Sequence, residues 1–122
     1  MRRFLETSTN MHALDLAAAP RWIAESGVAV LDFTAAHCGP CRVMLPVLEA
    51  LAAEYAGRVR FATVDCDHEP ALAQRYNVRS MPTFVVLRDG REVGRVVGSR
   101  PRAFIAGVLD RALGGDVAIA SP

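Results

Sequence analysis

Short runs rich in apolar residues recur along the chain and predict strands. The run over residues 28–33 is almost continuously apolar and rich in β-branched side chains, as expected for a strand that is covered on both faces, and a second strand is expected over residues 59–64. Two further runs, 83–87 and 92–97, flank the dipeptide Asp89-Gly90. Because this dipeptide readily adopts the positive backbone angles of a tight turn, we expect the last two strands to form an antiparallel hairpin.

Apolar residues at three- and four-residue steps predict helices between and after these runs. The first such helix ends at Gly57, contains Pro46 as an expected kink, and has an apolar face made by Met44, Val47, Leu48, Leu51 and Tyr55. A short helix started by Pro70 is expected to reach Tyr76. The last helix is expected to begin near Pro101, with an inward face made by Phe104, Ile105, Val108, Leu109 and Ala112.

The order of these elements predicts an α/β fold in one domain. Strands joined through helices run parallel, whereas a hairpin adds antiparallel strands. The predicted fold is therefore a central mixed β-sheet of four to five strands flanked by helices on both faces. We expect residues 1–19 to hold the first strand, residues 20–115 to form the domain core, and residues 116–122 to be a flexible tail. Pro20 is expected to open a helix that reaches Glu25.

Composition and charge exclude several classes of function. A chain of 122 residues with 52% apolar residues can build one buried core. The formal net charge is +1 and the charges are mixed along the chain, so proteins are expected as partners, rather than nucleic acid or an anionic membrane. No stretch approaches the roughly 20 apolar residues of a membrane span, and residues 1–11 lack a signal-peptide core. We therefore expect a cytoplasmic protein.

The sequence Cys38-Gly39-Pro40-Cys41 follows a predicted buried strand and starts a predicted helix. At a helix N-terminus, unpaired N–H groups and the positive end of the dipole favour a thiolate, so Cys38 is the expected nucleophile. Cys41 lies one turn further along, where its thiol can attack a mixed disulfide on Cys38 and release a reduced partner. Gly39 lets a bulky substrate chain approach, and Pro40 stiffens the turn without removing a needed donor.

A set of motifs stands in a fixed order along the chain: Asp32-Phe33, His37 with the CGPC sequence, Pro46, Met81-Pro82-Thr83, Asp89-Gly90 and Gly98. In this order and at these separations, the motifs resemble the thioredoxin family over roughly residues 20–113. The resemblance implies the thioredoxin fold, reduction of disulfides in protein substrates, and no bound cofactor beside the redox-active Cys38-Cys41 disulfide. It also implies electrons from NADPH through a separate thioredoxin reductase, and we expect a monomer.

Asp32 is the charged residue inside the first apolar run. A buried carboxylate is costly without a partner, and loss of solvent raises its pKa toward the range useful for proton transfer. By the resemblance, we interpret Asp32 as the acceptor of the Cys41 proton, and the alternative is a solvated residue at a strand end. Thr63 stands where thioredoxins often carry a lysine, so one charge that would favour ionised Asp32 is missing.

Met81-Pro82 resembles the cis-proline site of the family, where an extended substrate strand pairs with the backbone of the residue before the proline. The alternative is a trans proline that enters a strand. Gly98 resembles the glycine on the opposite rim that leaves room for the bound chain, with a simple strand terminator as the alternative. The expected substrate-binding surface comprises these residues together with His37, Gly39 and Pro40.

The chain departs from the family pattern beside the first cysteine, where thioredoxins usually have tryptophans and this chain has Thr34 and His37. A protonated His37 would stabilise the Cys38 thiolate and make the disulfide more oxidising. This interpretation favours an oxidase or isomerase as the alternative function. A solvated His37 that changes only the choice of partner is the other interpretation.

Cys66 stands where thioredoxins commonly have an aliphatic residue. We interpret it as a small core residue, with a regulatory disulfide or a metal site as the alternatives. No metal is expected, because tetrahedral zinc needs four converging ligands and the sequence has no second Cys-x-x-Cys. An interaction module without catalysis is the alternative from another class, although a pure scaffold has no chemical need for Asp32 and Pro82 beside the cysteine pair.

Overall fold

Residues 11–115, the part of the chain that the computed structural model describes, hold five strands and four helices. The strands are β1 (Met11–Ala13), β2 (Val28–Thr34), β3 (Val59–Asp65), β4 (Thr83–Arg88) and β5 (Arg91–Val97). The helices are α1 (Ala19–Ala24), α2 (Gly39–Glu54), α3 (Pro70–Arg75) and α4 (Arg102–Leu113). Among these residues, none of the helices has the length and apolar character needed to cross a membrane.

The strands form one mixed sheet in the order β1-β3-β2-β4-β5. β3 is parallel to both β1 and β2, whereas β4 is antiparallel to both β2 and β5. β2 therefore lies in the middle of the sheet, with Asp32 opposite Thr63 on one side and opposite Phe84 on the other. Because paired residues on neighbouring strands share a face, these three side chains lie on the same side of the sheet.

The alternation of side chains along β2 divides the core into two layers. Val28 and Val30 pack on the face covered by α2 and α4. Leu31 and Phe33 pack on the opposite face, with residues of α1 and α3. Every residue of β2 is buried, which explains why its sequence is apolar almost without interruption. The predicted fold class, a mixed sheet with helices on both faces, is confirmed.

The described N-terminal part holds one short strand and one helix. β1 pairs with the edge of β3 over three residues, so a strand lies within the predicted segment 1–19. α1 includes Pro20 and buries Trp22 and Ile23 against the core. The division of the chain after residue 19 stays a prediction, and the predicted tail 116–122 lies outside the described residues.

Asp89 and Gly90 form the turn between β4 and β5, and their φ angles are 51° and 85°. Two successive positive φ angles are typical of a two-residue hairpin turn, as the Asp-Gly sequence predicts. Asp89 also ties the turn to the start of β2. Its carboxylate accepts a hydrogen bond from the Gly27 N–H at 2.7 Å, and its own N–H donates to the Gly27 carbonyl at 2.9 Å.

The predicted inward face of α4 was wrong at Phe104, whose side chain is 38% exposed. The buried face is formed by Ile105, Val108, Leu109 and Ala112. Phe104 precedes Ile105 by one position, about 100° around the helix, so it lies at the border of this face. The guanidinium of Arg100 covers its ring at 5.2 Å from the centroid. The apolar pattern along the helix does not show that the ring of Phe104 contacts a cation instead of the core.

A hydrogen bond and an ion pair connect α2 to α4. The hydroxyl of Tyr55, at the end of α2, donates to the carboxylate of Asp110 at 2.7 Å. Arg102 at the start of α4 forms an ion pair with Glu54. Tyr55 is 3% exposed, so its hydroxyl meets few water molecules and depends on this partner. These contacts hold the helix that begins at the cysteine pair against the last helix.

Replacing Tyr55 with phenylalanine removes this hydroxyl and keeps the ring. We expect the free energy of unfolding to fall by about 1 kcal/mol, as for one hydrogen bond in a protein. Urea denaturation followed by circular dichroism measures the change. Tyr76→Phe is the matched control, because the Tyr76 hydroxyl makes no hydrogen bond within residues 11–115. Equal losses in the two variants would contradict the assigned role of the Asp110 contact.

Candidate active site

The two cysteines of the CGPC sequence lie where β2 leads into α2. Cys38 is the N-cap residue of α2, and Cys41 lies in its first turn. They form a disulfide with their Cα atoms 5.2 Å apart. The Cys41 N–H donates to the Cys38 sulfur at 3.2 Å. The helix N-terminus thus directs a backbone donor and its positive dipole end at the Cys38 sulfur, both of which stabilise a thiolate.

The two sulfur-bearing residues differ in their access to solvent. Cys38 is partly exposed, whereas Cys41 is 3% exposed. Gly39 and Pro40 between them are exposed, and Pro40 occupies a position in the first turn where its missing N–H costs no helix bond. An incoming disulfide can therefore reach Cys38, while Cys41 is shielded by the fold.

The segment before β4 lies against the cysteine pair. The Met81-Pro82 peptide bond is cis, as the family resemblance implies. The Met81 carbonyl oxygen lies 3.6 Å from the Cys38 sulfur, and the Met81 side chain is 36% exposed. Pro82 is buried, and its carbonyl accepts a hydrogen bond from the Gly98 N–H at 2.8 Å. Met81, Pro82 and Gly98 are thus brought together beside Cys38.

Gly98 has a φ of 84°, which side chains with a Cβ rarely adopt. A Cβ built at this position would meet nothing within 4 Å in the free protein. The glycine is therefore explained by the backbone turn that follows the end of β5 at Val97. Room for a bound chain is a compatible second reason, since the space above Gly98 is open.

Asp32 lies on the face of β2 that α2 covers, and it is 5% exposed. Its Oδ1 atom is buried and has no hydrogen-bond partner among residues 11–115. Burial raises the pKa of Asp32 to about 7, because the charged carboxylate has lost its solvent. The interpretation of Asp32 as a solvated residue at a strand end is wrong.

Thr63 is buried on β3 directly opposite Asp32. Its hydroxyl donates to the carbonyl of His12 at 3.2 Å, so this donor serves the neighbouring strand β1. A neutral side chain at this position brings no positive charge toward the carboxylate. Desolvation therefore acts on Asp32 without the cation that the family often places there.

The loop before Cys38 is exposed at Ala36 and His37. The guanidinium of Arg42, in the first turn of α2, donates to the Ala36 carbonyl at 3.1 Å and holds this loop against the helix. Arg42 carries no sequence signal beyond its place directly after Cys41. His37 is presented to solvent beside the cysteine pair, where both sequence interpretations of this residue stay open.

Cys66 is the free cysteine, and it packs partly buried against the α1 and α3 layer of the core. Burial and then the charge of Asp65 raise the pKa of the Cys66 thiol to about 11. The thiolate is the reactive form, so this thiol is a poor nucleophile at neutral pH. Among residues 11–115, no three His, Cys, Asp or Glu side chains converge as a metal site requires.

A disulfide between a reachable and a shielded cysteine at a helix start, on this mixed sheet, defines the class of thiol-disulfide oxidoreductases. Residues 15–111 match the family model for thioredoxin. Thioredoxins of Staphylococcus aureus strains Mu50 and MW2 are each 47% identical to the chain over 89 residues, which are 73% of this chain and 86% of the relative. The chain belongs to the thioredoxin family.

A solved structure supports the same assignment at the level of the fold. It comes from a study of the thiol resolving mechanism in yeast mitochondrial 1-Cys peroxiredoxin via glutathione and thioredoxin systems. The match has a TM-score of 0.75 and 36% sequence identity, and covers 84% of this chain and 96% of the other. The protein is thus a thiol-disulfide oxidoreductase with a redox-active cysteine pair, and its substrates contain disulfides.

The pKa of Asp32 makes the stability of the protein depend on pH. The folded protein holds the Asp32 proton up to about pH 7, whereas the unfolded chain releases it near pH 4. Between these values the folded state binds more protons, so stability from Asp32 is lost as the pH rises. As the pH rises from 4 to 8, we expect the free energy of unfolding of Asp32→Asn to increase by roughly 2–4 kcal/mol relative to that of the parent protein.

Urea denaturation of both oxidised proteins across this pH range measures the gain. The difference between the two proteins cancels the titration of all other groups. Asp67→Asn is the control, since it changes an exposed carboxylate that follows β3. A difference between Asp32→Asn and the parent protein that stays constant from pH 4 to pH 8 would show that Asp32 has an ordinary pKa.

Proposed function

We propose that the protein reduces disulfides in other proteins, with Cys38 as the nucleophile, Cys41 as the resolving thiol and Asp32 as the proton acceptor. The observation that carries the proposal is the difference between the two cysteines at the N-terminus of α2. Cys38 is reachable from solvent, and Cys41 is buried beside it. A nucleophile must meet a large substrate, whereas a resolving thiol needs only to reach its neighbour.

In the first step, the Cys38 thiolate attacks one sulfur of the client disulfide. A bond forms between Cys38 and that sulfur, and the second client sulfur leaves as a thiolate that takes a proton from solvent. The client lies as an extended chain along the backbone of Met81, beside Pro82 and Gly98. His37, Gly39 and Pro40 border this surface on the other side of Cys38.

In the second step, the Cys41 thiol gives its proton to Asp32 and attacks the Cys38 sulfur. The Cys38-Cys41 disulfide forms as the bond between Cys38 and the client sulfur breaks, and that sulfur leaves as a thiolate that takes a proton from solvent. A carboxyl group with a pKa near 7 is suited to take and return a proton at neutral pH. Its buried Oδ1 atom is available for this purpose, because Thr63 donates elsewhere.

Each turnover leaves the protein oxidised, so it needs two electrons to return to the dithiol. We propose that these electrons come from NADPH through a separate thioredoxin reductase, which exchanges with the same Cys38-Cys41 disulfide. The proposed location is the cytoplasm, where thiols are kept reduced. The proposed working form is a monomer that leaves Cys38 open to clients.

Specialised oxidation or isomerisation is the second candidate function, favoured by the exposed His37 directly before Cys38. A positive charge there would stabilise the reduced form and raise the reduction potential. The potential separates the two functions, because a reductase must lie at or below the cytosolic glutathione poise.

Equilibration with glutathione buffers in a Cys66→Ser background measures the potential of the Cys38-Cys41 couple. We expect a value below about −220 to −260 mV, as a reductase requires. A value near −180 mV or higher would instead establish the oxidase or isomerase function. His37→Trp then tests the electrostatic explanation, which requires this variant to lower the potential.

Single-turnover reduction of a protein with one disulfide tests the roles proposed for Cys38, Cys41 and Asp32. We expect Cys41→Ser to accumulate the mixed disulfide with the client, because nothing resolves it, and Cys38→Ser to form none. Asp32→Asn should form the mixed disulfide at the parent rate and release it about tenfold or more slowly at pH 7. Mass spectrometry after acid quenching counts each species.

The control in this experiment is Asp110→Asn, which should behave as the parent protein. Unchanged release from Asp32→Asn would remove Asp32 from the mechanism while leaving both cysteine roles intact. A mixed disulfide that forms in Cys38→Ser would reverse the order of the two cysteines.

A further inference from the structure

The side chain of Arg95, on the edge strand β5, contacts the end of α3. Its Nη2 atom donates to the carbonyl oxygen of Tyr76 at 2.7 Å. The same guanidinium donates to both carboxylate oxygens of Glu92, from Nε at 2.7 Å and from Nη2 at 2.9 Å. The side chain is 26% exposed, so these bonds are partly shielded from water.

The contact with Glu92 sets the direction of the Arg95 guanidinium. A planar guanidinium that binds a carboxylate through two bonds has little freedom to rotate, so its Nη2 atom stays directed at Tyr76. The hydrogen bond with Glu92 also raises the pKa of Arg95, which therefore remains charged. A charged donor bound to a carbonyl is stronger than a neutral one.

Tyr76 begins the segment that carries the client-binding backbone. It is the C-cap residue of α3, and Asn77 after it has a positive φ of 54°, so the helix ends there. Residues 77–82 then run without helix or strand to the start of β4. This segment contains Met81, whose carbonyl faces the Cys38 sulfur.

Both ends of the segment 76–82 are held by β5 and the residue that follows it. The Arg95 side chain binds the Tyr76 carbonyl at the first end. The Gly98 N–H binds the Pro82 carbonyl at the second end, at 2.8 Å. Because the Arg95 bond comes from a side chain, a substitution can remove it without changing any residue of the segment.

We propose that Arg95 is a positioning residue that holds the segment 76–82 in the conformation needed to bind extended polypeptide clients. The proposal rests on the proposed function, because it assigns the binding of clients to the Met81 backbone. Without Arg95, the segment samples more conformations and must be ordered when a client binds, which weakens binding. A small disulfide meets Cys38 directly and does not need the segment.

The test compares Arg95→Gln with Arg88→Gln in pre-reduced protein. Arg88 is the matched control, since its guanidinium on β4 also donates to the end of a helix, at 2.6 Å to the Ala112 carbonyl, away from Cys38. Stopped-flow measurements give the rate against concentration for a disulfide-containing protein and for a small aromatic disulfide. Thermal unfolding shows that both variants are folded.

For Arg95→Gln, we expect the half-saturating concentration of the protein client to rise about five- to tenfold, with the limiting rate within about twofold of the parent. The rate with the small disulfide should be unchanged. Arg88→Gln should match the parent protein with both substrates at a similar loss of thermal stability. Arg95→Lys, which keeps a charged donor, should recover part of the loss.

Two results would overturn the proposal. One is an equal effect of Arg95→Gln and Arg88→Gln on the protein client, and the other is an equal loss with the small disulfide. Glu92→Gln offers a second variant that keeps Arg95, and it should raise the half-saturating concentration of the client by a smaller factor. Failure of the parent protein itself to reduce the client would reject the proposed function, and it is distinct from both results that reject the role of Arg95.

Discussion

The burial of β2 on both faces is the constraint on which the rest of the structure depends. Every residue of this strand is buried, and it is hydrogen-bonded to β3 on one side and β4 on the other. A strand so enclosed cannot shift without opening both layers of the core. α2 begins at Gly39, shortly after β2 ends at Thr34, so Cys38 takes its position from the strand that is buried along its whole length. The redox sulfur is thus fixed by packing, although it stands at the surface.

The same burial makes the charged form of Asp32 unfavourable for the folded state. A buried carboxylate oxygen that has no partner among residues 11–115 is unfavourable in a core that consists mainly of apolar side chains. Protonation relieves this cost, so the burial that weakens the fold also creates a proton-exchanging group near neutral pH. Thr63 leaves the pKa of Asp32 high, because it lacks the positive charge by which a lysine there would stabilise the carboxylate and lower its pKa. The proposed role of Asp32 as the acceptor of the Cys41 proton explains why a carboxylate is buried here although it destabilises the folded state.

Much of the fold could be predicted because its signals are local. Enclosed strands are continuously apolar, the Asp89-Gly90 turn has its own backbone requirement, and a cysteine pair at a strand-to-helix junction implies a helix N-terminus. Contacts between distant residues carried no such signal. Arg95 and Tyr76 are 19 positions apart, and no pattern along either element pairs them. Phe104 fits the helical period, yet it lies at the border of the buried face, where Arg100 covers its ring. β1 is too short for a period to be read.

The two halves of the site are held by different parts of one sheet. The sulfur half follows the central strand β2, where packing from both faces allows little movement. The client half lies in the segment between α3 and β4, and it accepts hydrogen bonds from Arg95 on β5 and from Gly98. β5 is an edge strand with one hydrogen-bonded neighbour, where local opening is easier. A segment held by such an edge needs strong contacts to keep a defined shape, and a guanidinium fixed by a carboxylate supplies one. The positions of the cysteines and the proposed recognition of clients therefore depend on separate contacts. Changes on β5 can alter which proteins bind while the cysteines stay where β2 and α2 place them.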